Sequence, residues 1–279
     1  FPKGVQLCQN NVVTNFKATS EVHPLGHGDR TLSFLPISHI YERMVNYHFQ
    51  YLGIAIYYAE NMGTIVDNVK EIKPEIFLTV PRLLERVYDK IMGKGKDLKG
   101  IKKTLFFWAV NLGLRFELNR ANGWFYHAKL KIADKLIFSK WREALGGNIK
   151  IIVSGSAALQ PRLARVFWAA GITVLEGYGL TETSPLIAVN NMNKNEIMFG
   201  TVGPVISGGV EVKIADDGEI LCKGPNVMMG YYNQPELTKE VLDEDGWFHT
   251  GDIGELVDGK FLKITDRKKE MFKLSSGKY

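Results

Sequence analysis

The stretch Gly177-Tyr178-Gly179-Leu180-Thr181-Glu182-Thr183 puts a permissive backbone, an aromatic face, two hydroxyls and a carboxylate side by side. It follows the apolar, β-branched run Thr173-Val174-Leu175, and in α/β proteins ligands bind beyond the C-terminal ends of strands. Glycine lets a backbone approach a ligand closely. The Tyr178 ring can stack on a planar base, Thr181 can hydrogen-bond a phosphate, and Glu182 is a hard oxygen ligand suited to Mg²⁺. Each residue has a plainer use: a turn at Gly177 and Gly179, core packing for Tyr178, a helix cap for Glu182. Pattern alone leaves both open. Gly155-Ser156-Ala157 follows Ile149–Val153 in the same way.

Four charged residues elsewhere invite similar readings. Lys3, in Phe1-Pro2-Lys3-Gly4, offers a mobile point charge for a triphosphate, although the segment lacks the Gly-Lys-Ser/Thr of a Walker loop. Asp252, in Trp247-Phe248-His249-Thr250-Gly251-Asp252, is expected in a tight loop where a carboxylate can accept two ribose hydroxyls. Arg267, in Asp266-Arg267-Lys268-Lys269, can grip ribose or phosphate oxygens. His39, just past Thr31–Leu35, can face a carboxylate or a phosphate. For these the alternatives are solvated loop charges and a packed histidine. Cys8 and Cys222 have neither metal-site spacing nor the density of a disulfide scaffold, so no zinc site and a reducing, cytoplasmic setting are expected. Cys222, in Glu219–Lys223, reads as strand packing.

The elements that position these residues alternate. Strands are expected at 31–35, 55–59, 76–80 and 149–153, residues 173–179 read as strand and then loop, and helices are expected at 5–19, 40–52, 64–71, 82–92 and 161–170. This pattern argues for α/β sheets layered with helices. Gly93-Lys94-Gly95-Lys96 reads as a flexible break, and residues 101–141 as long helices interrupted near 119–123. Leu130, Ala133, Leu136 and Ile137 recur at helical spacing as one packing face. After residue 195, short strands at 210–214, 218–222, 251–257 and 261–265 with Asp-Gly turns suggest a mostly antiparallel lobe resembling a distorted barrel. A linker is expected from Asp266. We therefore expect an α/β subdomain over 1–195 with a helical insertion at about 93–147, an antiparallel subdomain over 196–265, and a hinge over 266–279.

With 45% hydrophobic and 23% charged residues, the 279-residue chain has ordinary globular composition. The net charge is +5, but residues 82–150 hold 16 Lys or Arg against 6 Asp or Glu, a local +10. No nucleic-acid motif accompanies this basic region, so no nucleic-acid partner is expected. Solvated helix faces explain it, and peripheral contact with a membrane stays open, since a basic amphipathic helix can lie on a lipid surface. Leu105–Leu118 contains Asn111, Arg115 and Glu117 and falls short of the roughly 20 residues of a membrane span. Phe1 and Tyr279 read as cut ends of a longer polypeptide.

In order and spacing, these segments resemble the adenylate-forming (AMP-binding) superfamily of acyl-CoA synthetases, luciferases and peptide-synthetase adenylation domains. Phe1-Pro2-Lys3-Gly4-Val5 resembles the tail of its phosphate loop, and Gly177 to Pro185 its most diagnostic motif. Gly218-Glu219-Ile220 through Gly230-Tyr231-Tyr232 to Trp247–Asp252 resembles the next motif, and Thr265–Glu270 the hinge before a small C-terminal domain. Leu35-Pro36-Ile37-Ser38-His39-Ile40-Tyr41-Glu42-Arg43, Thr79–Tyr88, the helical insertion and Lys273–Tyr279 resemble the long-chain fatty acid–CoA ligases.

The resemblance implies a set of roles. Lys3 would contact the ATP phosphates, and His39 would lie where acyl carboxylate and phosphates meet. Gly155, Ser156 and Ala157, with Glu176, Gly177, Tyr178 and Gly179, would wall the adenine. Thr181 would bind phosphate, Glu182 would hold Mg²⁺, Asp252 would hold the ribose hydroxyls and Arg267 would support them. Lys269 matches the hinge position, and Lys273 a lysine that approaches the site during thioester formation. The implied reaction is ATP-dependent activation of a long-chain fatty acid, with transfer to CoA. A ligase that delivers its adenylate to a carrier protein shares every nucleotide motif. A noncatalytic nucleotide- or lipid-binding module is the reading from another class. The family's C-terminal catalytic lysine lies outside this sequence, so the chain alone is expected to have little or no ligase activity. No obligate protein partner is expected.

Overall fold

A computed structural model describes residues 3–268. In chain order the elements are β1 (Val5–Gln6), α1 (Gln9–Thr19), β2 (Arg30–Ser33), α2 (Ile40–Leu52), β3 (Ala55–Tyr58), α3 (Ile65–Ile72), β4 (Ile76–Thr79), α4 (Pro81–Asp97) and α5 (Gly100–Gly113). A 3-10 turn (Leu118–Arg120) precedes α6 (Gly123–Ala133), which runs through a π turn (Asp134–Phe138) into α7 (Ser139–Ala144). Then come β5 (Ile151–Ser154), α8 (Pro161–Ala169), β6 (Thr173–Gly179), β7 (Leu186–Val189), β8 (Glu211–Ile214), β9 (Glu219–Lys223), β10 (Gly230–Tyr231), α9 (Pro235–Val241), β11 (Phe248–Val257) and β12 (Phe261–Arg267). The expected architecture, layered α/β followed by an antiparallel lobe, is borne out.

The chain forms two compact units. Among the described residues, one joins 3–24, 36–51 and 176–268; the other joins 25–35 and 52–175. These units do not divide at residue 195, because the antiparallel segment packs with the N-terminal helix and with the loop after β6, not alone.

In the second unit, β3, β2, β4 and β5 lie in that order and run parallel, Ile76 opposite Ile151 and Arg30 opposite Ala55. All four residues of β4 are buried, as befits a parallel strand covered on both faces. The side chains of Ile151, Ile152, Leu163 and Phe167 are almost fully enclosed. Proline at the first position of α4 and of α8 starts each helix where a missing N–H costs nothing.

Three local expectations are corrected here. Residues 93–96 are helical, not a flexible break: α4 continues through them. Gly95 is buried because the Phe106 ring of α5 lies against it, and a Cβ there would sit 2.0 Å from the ring. Along α6 and the π turn, the buried residues are Ala133 and Phe138 while Leu136 is 40% exposed. The wider π turn rotates the face away from the regular three- and four-residue stripe. Finally, residues 5–19 are not one helix: Val5 and Gln6 pair antiparallel with Tyr231 and Gly230 before α1 begins.

In the first unit, β12, β11, β9 and β8 form a four-stranded antiparallel sheet. Asp266 and Arg267 belong to β12, opposite Ile253 and Asp252, where a linker was expected. The inner face of α2 buries His48, whose Nε2 lies 3.0 Å from Nε2 of His23 and whose Nδ1 lies 3.3 Å from the Phe16 carbonyl. Burial pushes the His48 imidazole down to about 4, against a smaller upward pull from the Phe16 carbonyl.

Two predictions follow from this packing. Gly95→Ala should destabilise the chain by about 1–3 kcal/mol through overpacking. Gly93→Ala in the same helix, with nothing within 4 Å of the added methyl, should stabilise it by about 0.5–1 kcal/mol; urea midpoints of the two variants should move in opposite directions. His48 stays neutral in the folded chain while its unfolded counterpart takes a proton below about pH 6.5. Stability should therefore fall as pH drops from 6.5 towards 4, by about 2 kcal/mol at pH 5. His48→Gln should remove that part of the pH dependence in denaturation curves recorded at pH 7 and pH 5.

Candidate active site

The loop after β6 is shaped by its glycines and by an asparagine from α1. At Gly179 a Cβ would lie 1.8 Å from the Pro185 carbonyl oxygen, so only glycine allows the return of the chain into β7. The Leu180 N–H donates to that same carbonyl at 3.0 Å. Asn15 is buried; its amide donates to the Leu186 carbonyl at 2.8 Å, and its oxygen accepts the Leu186 N–H at 3.3 Å. One turn earlier, Asn11 donates to the carbonyls of Pro225 and Val227, at 2.7 and 2.9 Å. α1 thus grips two loops through two residues four apart, which share a helix face.

On this frame stands a buried carboxylate. Asp252 is 6% exposed. The Tyr178 hydroxyl donates to its Oδ2 at 2.7 Å, and Arg267 Nε donates to Oδ1 at 3.2 Å. Asp252 does not lie in a tight loop, as the sequence suggested. It belongs to the ten-residue β11, at a bulge where the register with β9 shifts between His249 and Ile253. Gly251 takes φ +73° there. Thr250 Oγ1 closes the bulge by donating to the Ile220 carbonyl at 2.7 Å and accepting the Asp252 N–H at 3.1 Å. Burial first, and the adjacent Asp252 charge second, hold the Tyr178 phenol protonated far above its ordinary range.

A second carboxylate lies under the bulge. Glu219, 4% exposed, accepts hydrogen bonds from Lys268 Nζ at 2.7 Å, the Gly251 N–H at 2.9 Å and His249 Nδ1 at 3.2 Å. Burial alone would raise its pKa, but these donors outweigh burial and hold the carboxyl below its usual value. Lys268 also bridges to Asp217 at 2.7 Å.

Glu182 is the third. It sits in the 3-10 turn Thr181–Thr183. Its backbone carbonyl accepts the Met228 N–H at 2.8 Å, and its Oε1 accepts the Tyr231 hydroxyl at 2.8 Å. The Lys3 ammonium stands 4.8 Å from the centre of the Tyr231 ring. Lys3, Tyr231 and Glu182 therefore form a chain of contacts running from cation to π face to carboxylate. Thr181, at the start of the turn, is exposed.

The remaining expected site residues are placed as follows. Glu176 is buried in β6, with its backbone carbonyl accepting the Asn190 N–H at 3.0 Å. Gly177 and Tyr178 pair with Val189 and Ala188 of β7. His39 is exposed, in the turn leading into α2. Gly155, Ser156 and Ala157 belong to the second unit, directly after β5; the Gly155 N–H donates to the Thr79 carbonyl at 3.2 Å, and Ser156 takes φ +70°. Lys269 and Lys273 lie outside the described residues. Cys222 is fully buried in β9, as strand packing requires, and burial pushes its thiol up to about 12.

Sequence reasoning missed Tyr231, Thr250 and the two asparagines. The signal for Asn11 and Asn15 was their four-residue spacing, which puts two polar side chains on one helical face with Ala18. Tyr231 and Thr250 lay within quoted motifs, but nothing in the sequence paired them with Glu182 or the bulge.

The family model described as AMP-binding enzyme matches residues 1–232, and this chain belongs to that family. It is 37% identical to long chain acyl-CoA synthetase 6, peroxisomal, of Arabidopsis thaliana, an alignment covering all of this chain and 41% of that protein. It is 36% identical to the long-chain-fatty-acid–CoA ligase FadD15 of Mycobacterium tuberculosis over 99% of this chain and 46% of the relative. The crystal structure of ATP-bound MatB from Rhodopseudomonas palustris shares the fold, with a TM-score of 0.69 and 23% identity over 96% of this chain and 46% of that one. The chain thus spans less than half the length of these relatives.

Tyr178→Phe should leave one oxygen of the buried Asp252 without its donor, at a cost of about 1–3 kcal/mol. The urea midpoint measures it. Tyr232→Phe, at an exposed neighbouring ring, should leave the midpoint unchanged.

Proposed function

We propose that the protein carrying this chain activates a long-chain fatty acid with ATP to an acyl-adenylate and passes the acyl group to CoA. The observation that carries this reading is the buried Asp252, held by Tyr178 and Arg267 beside the glycine-rich loop after β6. A carboxylate fixed in this way is suited to accept the two ribose hydroxyls of a nucleotide. The long-chain substrate and CoA rest on the named activities of the Arabidopsis and mycobacterial relatives.

The chemical difficulty lies in the first half-reaction, where a carboxylate must attack the α-phosphate of a polyanion. Charge has to be neutralised as it develops. Lys3 supplies a cation at the phosphates, with Thr181 as a hydrogen-bond donor and His39 where carboxylate and phosphate meet. Glu182 fits a magnesium site in donor chemistry: one oxygen takes the Tyr231 hydroxyl, and the other has no partner among the described residues. Mg²⁺ bound through one carboxylate and substrate phosphates is a common arrangement, and the ion would supply charge neutralisation at the phosphates. Tyr231 keeps Glu182 oriented. Glu176 to Gly179 would wall the adenine. AMP is then the leaving group when the CoA thiol attacks the acyl carbon, with Lys273 assigned to that stage.

Calorimetric titration with AMP and ATP tests the nucleotide half on this chain. Asp252→Ala should weaken binding by about 10- to 100-fold, the range of charge-assisted hydrogen bonds. Failure of the unmodified chain to bind either nucleotide would sink the reading. Pyrophosphate release from a longer protein carrying the chain tests the rest, using fatty acids of graded length with CoA or a carrier protein as acceptor. Release that is independent of fatty acid, or transfer to the carrier alone, would overturn the assignment of substrate or acceptor.

A further inference from the structure

α6 is apolar on two opposite sides, and only one of them is packed. Its inner side is accounted for. The Tyr126 hydroxyl donates to the Leu112 carbonyl at 2.7 Å, the His127 ring meets Phe116 edge-on at 6.5 Å, and Ala133 and Phe138 are fully buried. The outer side carries Phe125, Ile132 and Leu136, exposed by 58%, 55% and 40%, with Trp124 exposed by 82% at the first turn. Phe125, Lys129 and Ile132 follow one another at steps of four and three residues, so they line one stripe, and Leu136 is exposed beyond them in the π turn. A helix that is apolar all round is ordinarily buried all round. This one leaves a contiguous aromatic and aliphatic stripe in water.

The charges around the stripe indicate what covers it. No acidic residue occurs between Ala121 and Ala133, and residues 121–140 hold four lysines against one aspartate. That aspartate, Asp134, is engaged by the Arg142 guanidinium. Lys129, Lys131 and Lys135 are exposed. Lys129 lies along the stripe itself, its ammonium 4.2 Å from the centre of the Phe125 ring. A protein partner would ordinarily present hydrogen-bonding groups to such a face, whose outward-pointing polar side chains are almost entirely ammonium groups. An anionic lipid surface needs only charge and an apolar interior. Tryptophan and phenylalanine at the level of the headgroups, with lysines reaching to phosphates, match that chemistry. No helix among the described residues is long and apolar enough to cross a membrane.

We propose that the outer face of α6 and the π turn after it is a docking surface for an anionic lipid bilayer, with Trp124 and Phe125 as the inserted anchors. This assignment is independent of the nucleotide reading, since it uses no residue of that site and its test uses no nucleotide.

Cosedimentation of the 279-residue chain with phosphatidylcholine vesicles, with and without added phosphatidylglycerol, decides it. Binding is expected only to the anionic vesicles, and should weaken as salt rises. Replacing Lys129, Lys131 and Lys135 by glutamine should weaken it roughly 100-fold, from the usual attraction per lysine near an anionic surface. Trp124→Ser combined with Phe125→Ser should abolish binding at low salt while leaving the circular dichroism spectrum unchanged. Anionic vesicles should shift the tryptophan emission to the blue, and Trp124→Phe should remove that shift although four other tryptophans remain. Absence of binding to anionic vesicles, binding equal in the wild type and both variants, or a stable dimer that the aromatic substitutions dissolve would each overturn the proposal.

Discussion

A carboxylate taken out of water remains charged only if its oxygens are met by donors, and the first unit is organised around that demand at Asp252. Tyr178 reaches it from β6 and Arg267 from β12, one donor to each oxygen. A single side chain thus ties β6 to the β11–β12 hairpin, some seventy residues further along the chain. The bulge that turns Asp252 to meet them rests in turn on Glu219, a second buried carboxylate on the neighbouring strand, whose donors come from both sides of the bulge. Each acid holds its strand through the donors that meet its oxygens. The geometry around the glycine-rich loop is therefore electrostatic in origin, and the apolar clusters around Ile220 and Phe248 fill the space those charges define.

The loop beside it is held by a different means. Asn11 satisfies backbone carbonyls of the loop before β10, and Asn15 binds the backbone of Leu186 at the start of β7, doing from a helix what a further strand would do in a sheet. An amide can both donate and accept, so Asn15 copies the pairing of a β-bridge with Leu186. The glycine at position 179 is the steric half of the same arrangement. These constraints leave Thr181 and Glu182 at the open end of a rigid turn, with the Glu182 carboxylate oriented by Tyr231.

Much of this was legible in the sequence. The β/α alternation showed in runs such as Ile76–Thr79 before Pro81, where propensity, turn chemistry and burial agree. Antiparallel strands were marked by Asp217-Gly218 and Asp258-Gly259. What stayed hidden depended on partners distant in sequence. Gly93 to Lys96 looks flexible by composition, yet the ring of Phe106 makes the absence of a side chain at Gly95 a packing requirement. The π turn at Asp134–Phe138 carries no compositional signature, so a regular period placed Leu136 on the wrong side. Asp252 was read in a tight loop but lies in a bulged strand, because the bulge depends on hydroxyl and carboxylate groups of β9 and β11. The grouping of Tyr231 with Glu182 and Lys3 joins segments some fifty and two hundred residues apart, beyond any periodicity argument.

The pairing of β1 with β10 has a consequence for the order in which the chain can fold. Val5 meets Tyr231, and Asn11 binds carbonyls at Pro225 and Val227. The first two dozen residues leave the ribosome long before the segment that completes their unit. The second unit, almost continuous between residues 52 and 175, can close during that interval. Until then α1 is a short helix with two asparagines and no loops to hold, marginal by itself in water. Such non-local closure is slow because distant segments must be brought together before any contact compensates for the lost chain entropy. The unit that carries the buried acids thus closes after the second unit, and α1 left without its distant loops is an exposed species that folding helpers would meet.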